Sequence, residues 1–168
     1  MHLRPYTDND LSAVRALYHQ SIHQLAAPHY SADQLAAWSP EHQDVARWTS
    51  RLAPLMTVLA DWNGVVAGFA SYNPGGHLDL LFTHPLFARR GVATLLCDHI
   101  ERALSQAGVP RVYTEASLAA RPFFEQRAYV VQEEQLVDCR GARLRRFAMD
   151  KILAPLATAT PTSGNQPR

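Results

Sequence analysis

Leu80-Leu81-Phe82-Thr83-His84-Pro85-Leu86-Phe87-Ala88-Arg89-Arg90-Gly91-Val92-Ala93-Thr94 passes from an apolar strand, through a loop with two arginines and a glycine, straight into a helix. Val92, Leu95, Leu96, Ile100, Ala103, Leu104 and Ala107 trace one apolar face of that helix, and Gly108 and Pro110 stop it. A helix start exposes unpaired N–H groups and the positive end of the dipole, which suits an anion. Gly91 lets the backbone approach such an anion, Arg89 and Arg90 add positive charge, and small Ala93 and Thr94 keep the first turn open. The stretch predicts a diphosphate site built mainly from main chain.

Such a site needs little net charge, and the chain has little. Its 168 residues carry a formal charge of +1, 18% charged and 47% hydrophobic residues. That balance argues against binding nucleic acid or an anionic membrane by bulk attraction. Cys97 and Cys139 stand far apart with no clustered Cys/His pair, so neither a disulfide framework nor a metal site is expected. Met1 to Tyr6 lacks the apolar core of a signal peptide, and no run reaches the ~20 apolar residues of a membrane span. A cytoplasmic protein, monomer or homodimer, is the expectation.

Residues 1–154 read as one domain and 155–168, rich in Ala, Thr, Pro and Ser, as a flexible tail. A strand at Leu3–Tyr6 precedes a helix capped by Asp8 or Asn9. Ser31 and Gln34 form a capping box before a short helix to Trp38, and a further helix spans about 41–52. Strands follow at 55–60, 65–72 and 77–83, the first two joined by Asn63-Gly64, a strong hairpin signal. After the long helix come a strand at 111–115, a short helix over 118–126, and strands at 129–137 and 142–150 joined at Cys139-Arg140-Gly141. The class is α+β: a mixed, mainly antiparallel sheet of about seven strands flanked by helices. The strand–helix–strand step implies one parallel, right-handed crossover.

Ala88-Arg89-Arg90-Gly91-Val92-Ala93 resembles the coenzyme A signature Q/R-x-x-G-x-G/A of the GNAT superfamily of N-acetyltransferases, with Ala88 where Gln or Arg is preferred. Ser117-Leu118-Ala119-Ala120-Arg121-Pro122-Phe123-Phe124-Glu125-Gln126-Arg127-Ala128-Tyr129 is similar to the family's second motif, Asn-x-x-A-x-x-F-Y-x-x-x-G-F. The element order agrees over roughly residues 2–153. The resemblance implies that the crossover forms an acetyl-CoA cleft, with Leu81, Phe82 and Thr83 pairing with pantetheine. Arg89, Arg90, Gly91, Val92, Ala93 and Thr94 would hold the diphosphate, and Ser117 and Phe123 would complete the coenzyme site. Phe124 replaces the usual tyrosine acid, and Ala128 a glycine.

Acetyl transfer requires a neutral amine, whose ammonium pKa is ~10.4, so a base is needed. Asp79, on the strand that ends at the acetyl site, and Glu115, at the end of the neighbouring strand, are the candidate catalytic carboxylates; in this family the two strands splay apart. A polar sheet residue and a helix-capping carboxylate are their plainer readings. Tyr30 and Trp38 belong to an H-Y…Q…A-W-x-P pattern seen in one branch of small bacterial members and would wall the amine's pocket. His77 reads first as a structural or surface residue. Arg140, Arg143, Arg145 and Arg146 read first as a solvated strand face, with a hold on an acidic acceptor or a phosphate as the alternative. The expected function is acetyl-CoA-dependent acetylation of a small-molecule or peptide amine by direct attack, without metal. A catalytically silent acyl-CoA-binding module is the alternative.

Overall fold

The computed structural model describes residues 1–154, so the tail expected at 155–168 lies outside the described residues. Two antiparallel sheets form the framework. The first has the order β1-β2-β3-β4, from His2–Pro5, Met56–Trp62, Val65–Tyr72 and Leu78–Thr83. The second has the order β5-β7-β6, from Arg111–Ser117, Ala142–Ile152 and Val130–Cys139. Helices α1 (Leu11–Leu25), α2 (Ala32–Trp38) and α3 (Val45–Leu52) separate β1 from β2. Helix α4 (Val92–Gln106) joins β4 to β5, and α5 (Arg121–Gln126) follows β5.

Local chemistry explains most boundaries. Ser31 Oγ accepts from Gln34 N–H at 3.2 Å and Gln34 Oε1 accepts from Ser31 N–H at 2.9 Å, the expected capping box. Asn63 and Gly64 both adopt positive φ (52° and 82°), as a two-residue primed turn requires. The β6–β7 turn repeats this at Arg140 and Gly141 (45° and 83°), an arginine standing where asparagine is commoner. Three helix starts differ from the sequence reading. Helix α1 starts at Leu11 and is not capped by Asp8 or Asn9, because those two lie in a 3-10 turn in which Asp10 Oδ2 accepts from Thr7 N–H at 2.9 Å. Helix α3 starts at Val45, because the Asp44 side chain caps it at Arg47 N–H, 3.2 Å. Helix α5 starts only at Arg121, because Ser117 to Ala120 close a tight turn, with Ala120 N–H donating to both Ser117 O and Ser117 Oγ at 3.1 Å.

The two faces of the first sheet bury different clusters. Val92, Leu96, Ile100 and Leu104 of α4 pack with Leu78, while Val14, Leu17 and Ile22 of α1 pack with Leu80 and Phe69. Leu78 and Leu80 should share a face in a regular strand. They do not, because the β3–β4 register slips between Ser71 and Tyr72: Tyr72 faces Leu78, whereas Ser71 faces Leu80. Asp79 is therefore the extra residue of a β-bulge, and everything after it is turned over.

The expected parallel crossover is present, but as a contact at one point. Tyr113 N–H donates to Gly76 O at 2.9 Å, His77 bridges Tyr113 in parallel, and Thr114 Oγ1 donates to Leu78 O at 2.8 Å. With Leu78 O taken by a side chain, no ladder continues, and β4 and β5 separate. The expected mixed sheet is thus two sheets joined at the base of a V. Gly76, at φ +94°, sits in the joint, where a Cβ would meet Arg111 O at 2.3 Å.

The upper part of the V rests on Gly68. A Cβ there would lie 2.5 Å from Val92 Cγ1 and 2.9 Å from Phe82 O, so Gly68→Ala must push α4 and β4 from β3. The expected cost is about 1–3 kcal/mol, or a Tm lower by roughly 2–12 °C. Thermal melting checks this, and an unchanged Tm would mean that α4 yields freely.

Candidate active site

Between the arms of the V lies a cleft of about 720 Å³. Asp79 to Phe82 form one wall, Thr114 to Ser117 the other, and Tyr30 and Trp38 stand on the side of the N-terminal helices. The bulge decides which backbone groups face it. Asn73 N–H donates to His77 O at 3.0 Å below the bulge, and His84 N–H donates to Ala67 O at 2.9 Å above it. Alternation from His84 commits Phe82 and Leu80 to β3 and turns the N–H and C=O groups of Leu81 and Thr83 toward the cleft. Of the three strand residues expected to pair with pantetheine, Leu81 and Thr83 have the right orientation. Phe82 does not: its backbone is committed to Phe69, and its ring stacks on Phe69 with centroids 5.7 Å apart.

At the top of β4 the chain reaches the start of α4. Gly91 is the N-cap at φ +80°, with no side-chain cap bond. The N–H groups of Gly91, Val92, Ala93 and Thr94 are the four that a helix cannot satisfy internally, and none has an acceptor among the described residues. Arg89 precedes them at φ +60°, a conformation that costs a non-glycine residue about 1 kcal/mol. An uncapped end and a strained neighbour fit an external anion. Val92 contributes only its N–H, since its side chain is buried against Gly68.

The two carboxylates occupy opposite walls and have different partners. Asp79 accepts from Arg51 Nε at 3.1 Å and Nη2 at 3.3 Å, so α3 holds it as a bidentate pair. Glu115 Oε2 lies 2.7 Å from His77 Nε2. That bond holds the Glu115 carboxyl below its usual range and raises the His77 imidazole above its own. His77 also stacks on Tyr113 at 4.8 Å, which fixes the ring. Glu115 thus lines the cleft with an imidazole behind it.

The other expected residues divide. Ser117 lines the cleft, whereas Phe123 packs against the α4-side cluster, and the cleft wall is instead Phe124, 2% exposed and without a hydroxyl. Ala128 adopts φ +65°, the conformation that glycine would take without strain. The Tyr30 hydroxyl donates to Arg145 O and accepts from Leu118 N–H, both at 2.9 Å, so only its ring can wall a pocket. Trp38 stands edge-on between Tyr30 and Phe82, with centroids 5.3 and 6.5 Å away. Burial pushes the Cys97 thiol up to about 12, which leaves it protonated.

Sequence reasoning ranked His77 first as a structural or surface residue and Arg146 first as part of a solvated strand face, and it did not pair Arg51 with Asp79. His77 and Glu115 are 38 residues apart, and only the joint at Gly76 brings them together. Arg51 sits in the last turn of α3, with no local sign that Asp79 is its partner.

Residues 26–151 match the family model described as an acetyltransferase (GNAT) domain. The chain is 32% identical over 149 residues to the uncharacterized N-acetyltransferase YafP of Escherichia coli strain K12, covering 89% of this chain and 94% of that protein. A crystal structure of a GCN5-related N-acetyltransferase from Rhodopseudomonas palustris superimposes with a TM-score of 0.87 at 36% identity, covering 90% of this chain and 95% of that one. The PaiA N-acetyltransferase of Thermoplasma acidophilum, solved in complex with coenzyme A, shares the fold at a TM-score of 0.69 and 16% identity, covering 90% and 98%. The splayed strands and the matched motif agree with these likenesses: the chain belongs to the GNAT family of acetyl-CoA-dependent N-acetyltransferases.

Proposed function

We propose that this protein transfers the acetyl group of acetyl-CoA to a primary amine of a small molecule or peptide by direct attack in the splayed cleft. The observation that carries this reading is the bulge at Asp79. It turns Leu81 and Thr83 N–H away from β3, on the strand that runs on to the uncapped start of α4. The diphosphate rests on N–H groups of Gly91 to Thr94 beside Arg89 and Arg90, and Leu81 and Thr83 pair with pantetheine. The sequence reading set the carbonyl-polarising donor near Phe82; the register, which turns Leu81 away from β3, supports Leu81 N–H in that role instead, meeting the charge that develops on the thioester oxygen.

Glu115 and His77 act together on the amine proton. Glu115 receives it, directly or through one water, once His77 has lost its own proton, and the bare Nε2 then takes it across the contact with Oε2. Asp79, on the opposite wall, has its charge paired with Arg51, which leaves the proton to Glu115. Phe124 can protonate nothing, and Tyr30 has its hydroxyl committed. The CoA sulfur therefore leaves as thiolate, which a thiol pKa near ~8.5 permits. A covalent acyl-enzyme is disfavoured, because Cys97 is buried and protonated and Cys139, on the cleft lining, donates its thiol to Ala37 O at 3.2 Å.

The experiment is thiol release from acetyl-CoA across amino acids, polyamines, aminoglycosides and peptides, with mass analysis of the product. The expected result is one class of amine gaining the mass of an acetyl group with turnover. Tight acetyl-CoA binding without turnover of any amine would favour the silent acyl-CoA-binding module that Phe124 suggests.

A further inference from the structure

Five arginines line the cleft, and they differ in what holds them. Arg51 is paired with Asp79, and Arg145 with Glu134 at 2.6 Å. Arg47, Arg140 and Arg146 have no carboxylate partner within 4.0 Å among the described residues. Neutral oxygens orient two of these three. Arg146 Nε donates to Gln135 Oε1 at 2.9 Å, and Arg140 Nη1 donates to Ala37 O at 2.7 Å and Trp38 O at 3.4 Å. Each guanidinium is aimed by one nitrogen while its charge and its remaining N–H groups stay uncompensated.

The acidic groups lining the cleft do not cancel this charge. Asp79 is spent on Arg51, Glu115 on His77, and Asp138 turns to Arg143 at 3.7 Å on the exposed hairpin. Asp44 caps α3 through Arg47 N–H. Arg146 is also close enough to Glu115 to help hold its carboxyl low. For a bare polyamine or a lysine side chain, three guanidiniums without a carboxylate partner on the same cleft would be repulsive. A substrate carrying its own negative charge turns the same groups into a clamp. The arrangement also aids the chemistry, since a cation near a bound ammonium favours its neutral form.

We infer that the acceptor is an amine that also bears a carboxylate or phosphate, with its anionic group on Arg146 and Arg47 and its amine at Glu115. This rests on the acetyl-transfer reading above and names the substrate class for that same cleft.

The test is a set of acceptor pairs alike except in charge: amino acids against their carboxamides, and phosphoethanolamine against ethanolamine, with spermidine as a polycation. The anionic member of at least one pair is expected to show a kcat/KM roughly 10- to 100-fold higher. Arg146→Gln and, separately, the exposed Arg47→Gln should raise KM for that acceptor by about tenfold or more, with acetyl-CoA Kd unchanged and Arg146→Lys restoring part of the loss. Equal rates within every pair, or a preference for spermidine, overturn the inference and leave acetyl transfer standing. A change in acetyl-CoA Kd without a change in acceptor KM also overturns it, by assigning the arginines to the coenzyme. Binding of acetyl-CoA with no acceptor turned over overturns both readings.

Discussion

Gly91→Glu is expected to raise the Kd for CoA at least about 100-fold while the protein stays folded. The two halves of this result come from the same geometry. Beyond its two chain neighbours, no heavy atom of the described residues lies within 4 Å of a Cβ built on Gly91, so the added Cβ has open space. Its strain at φ +80° costs about 1 kcal/mol, offset in part by a carboxylate at the positive end of α4. The space in front of Gly91 is where the diphosphate is proposed to lie. A carboxylate there repels the ligand and competes for the N–H groups of Val92 to Thr94. Losing two or three charge-assisted hydrogen bonds is worth about 3 kcal/mol or more, the stated 100-fold. Calorimetric titration with CoA, beside a thermal melt, measures both. Unchanged affinity in a folded variant would remove the diphosphate from this helix end.

Glu115→Gln is expected to lower kcat by about 100-fold with acetyl-CoA affinity unchanged, the usual scale for a lost general base. The accompanying pH shift separates this role from a structural one. In the wild type the pair accepts a proton with a pKa above the ordinary imidazole value of 6.5, because Glu115 raises His77. The rate should therefore rise through a pH above 6.5. With Gln at 115 that support is gone, and any residual inflection should move down toward 6.5. Stability has its own signature. His77 contributes fully below 6.5 and loses its contribution as pH rises through its raised pKa. Glu115 contributes fully above its ordinary 4.5 and loses its contribution as pH falls through its lowered pKa. The stability difference between wild type and Glu115→Gln should thus be largest between about pH 4.5 and 6.5. A full-rate variant with the same inflection would pass the role to Asp79 or to bulk water.

The element order was legible because its signals are local. The Ser31–Gln34 box, Asn63-Gly64 and the periodicity of α4 each act over a few residues. The α4 half of the candidate site was legible for the same reason: its proposed donors are consecutive. What the sequence could not convey was register. Nothing around Asp79 marks it as a bulge, yet that one inserted residue commits the Phe82 backbone to β3 and turns the Leu81 and Thr83 backbone away from it. Long-range pairs were equally hidden. Arg51 meets Asp79 and His77 meets Glu115 only after α3 packs and β5 crosses at Gly76. The uneven pairing of the cleft arginines follows from the β6–β7 register, which sets Gln135 opposite Arg146.

A crystal structure of the full chain with acetyl-CoA tests the central claim most directly. The account predicts the diphosphate on the N–H groups of Gly91 to Thr94, pantetheine paired with Leu81 and Thr83, and the thioester oxygen within hydrogen-bond distance of Leu81 N–H. Acetyl-CoA paired with Phe82, or bound away from the cleft between β4 and β5, would contradict it.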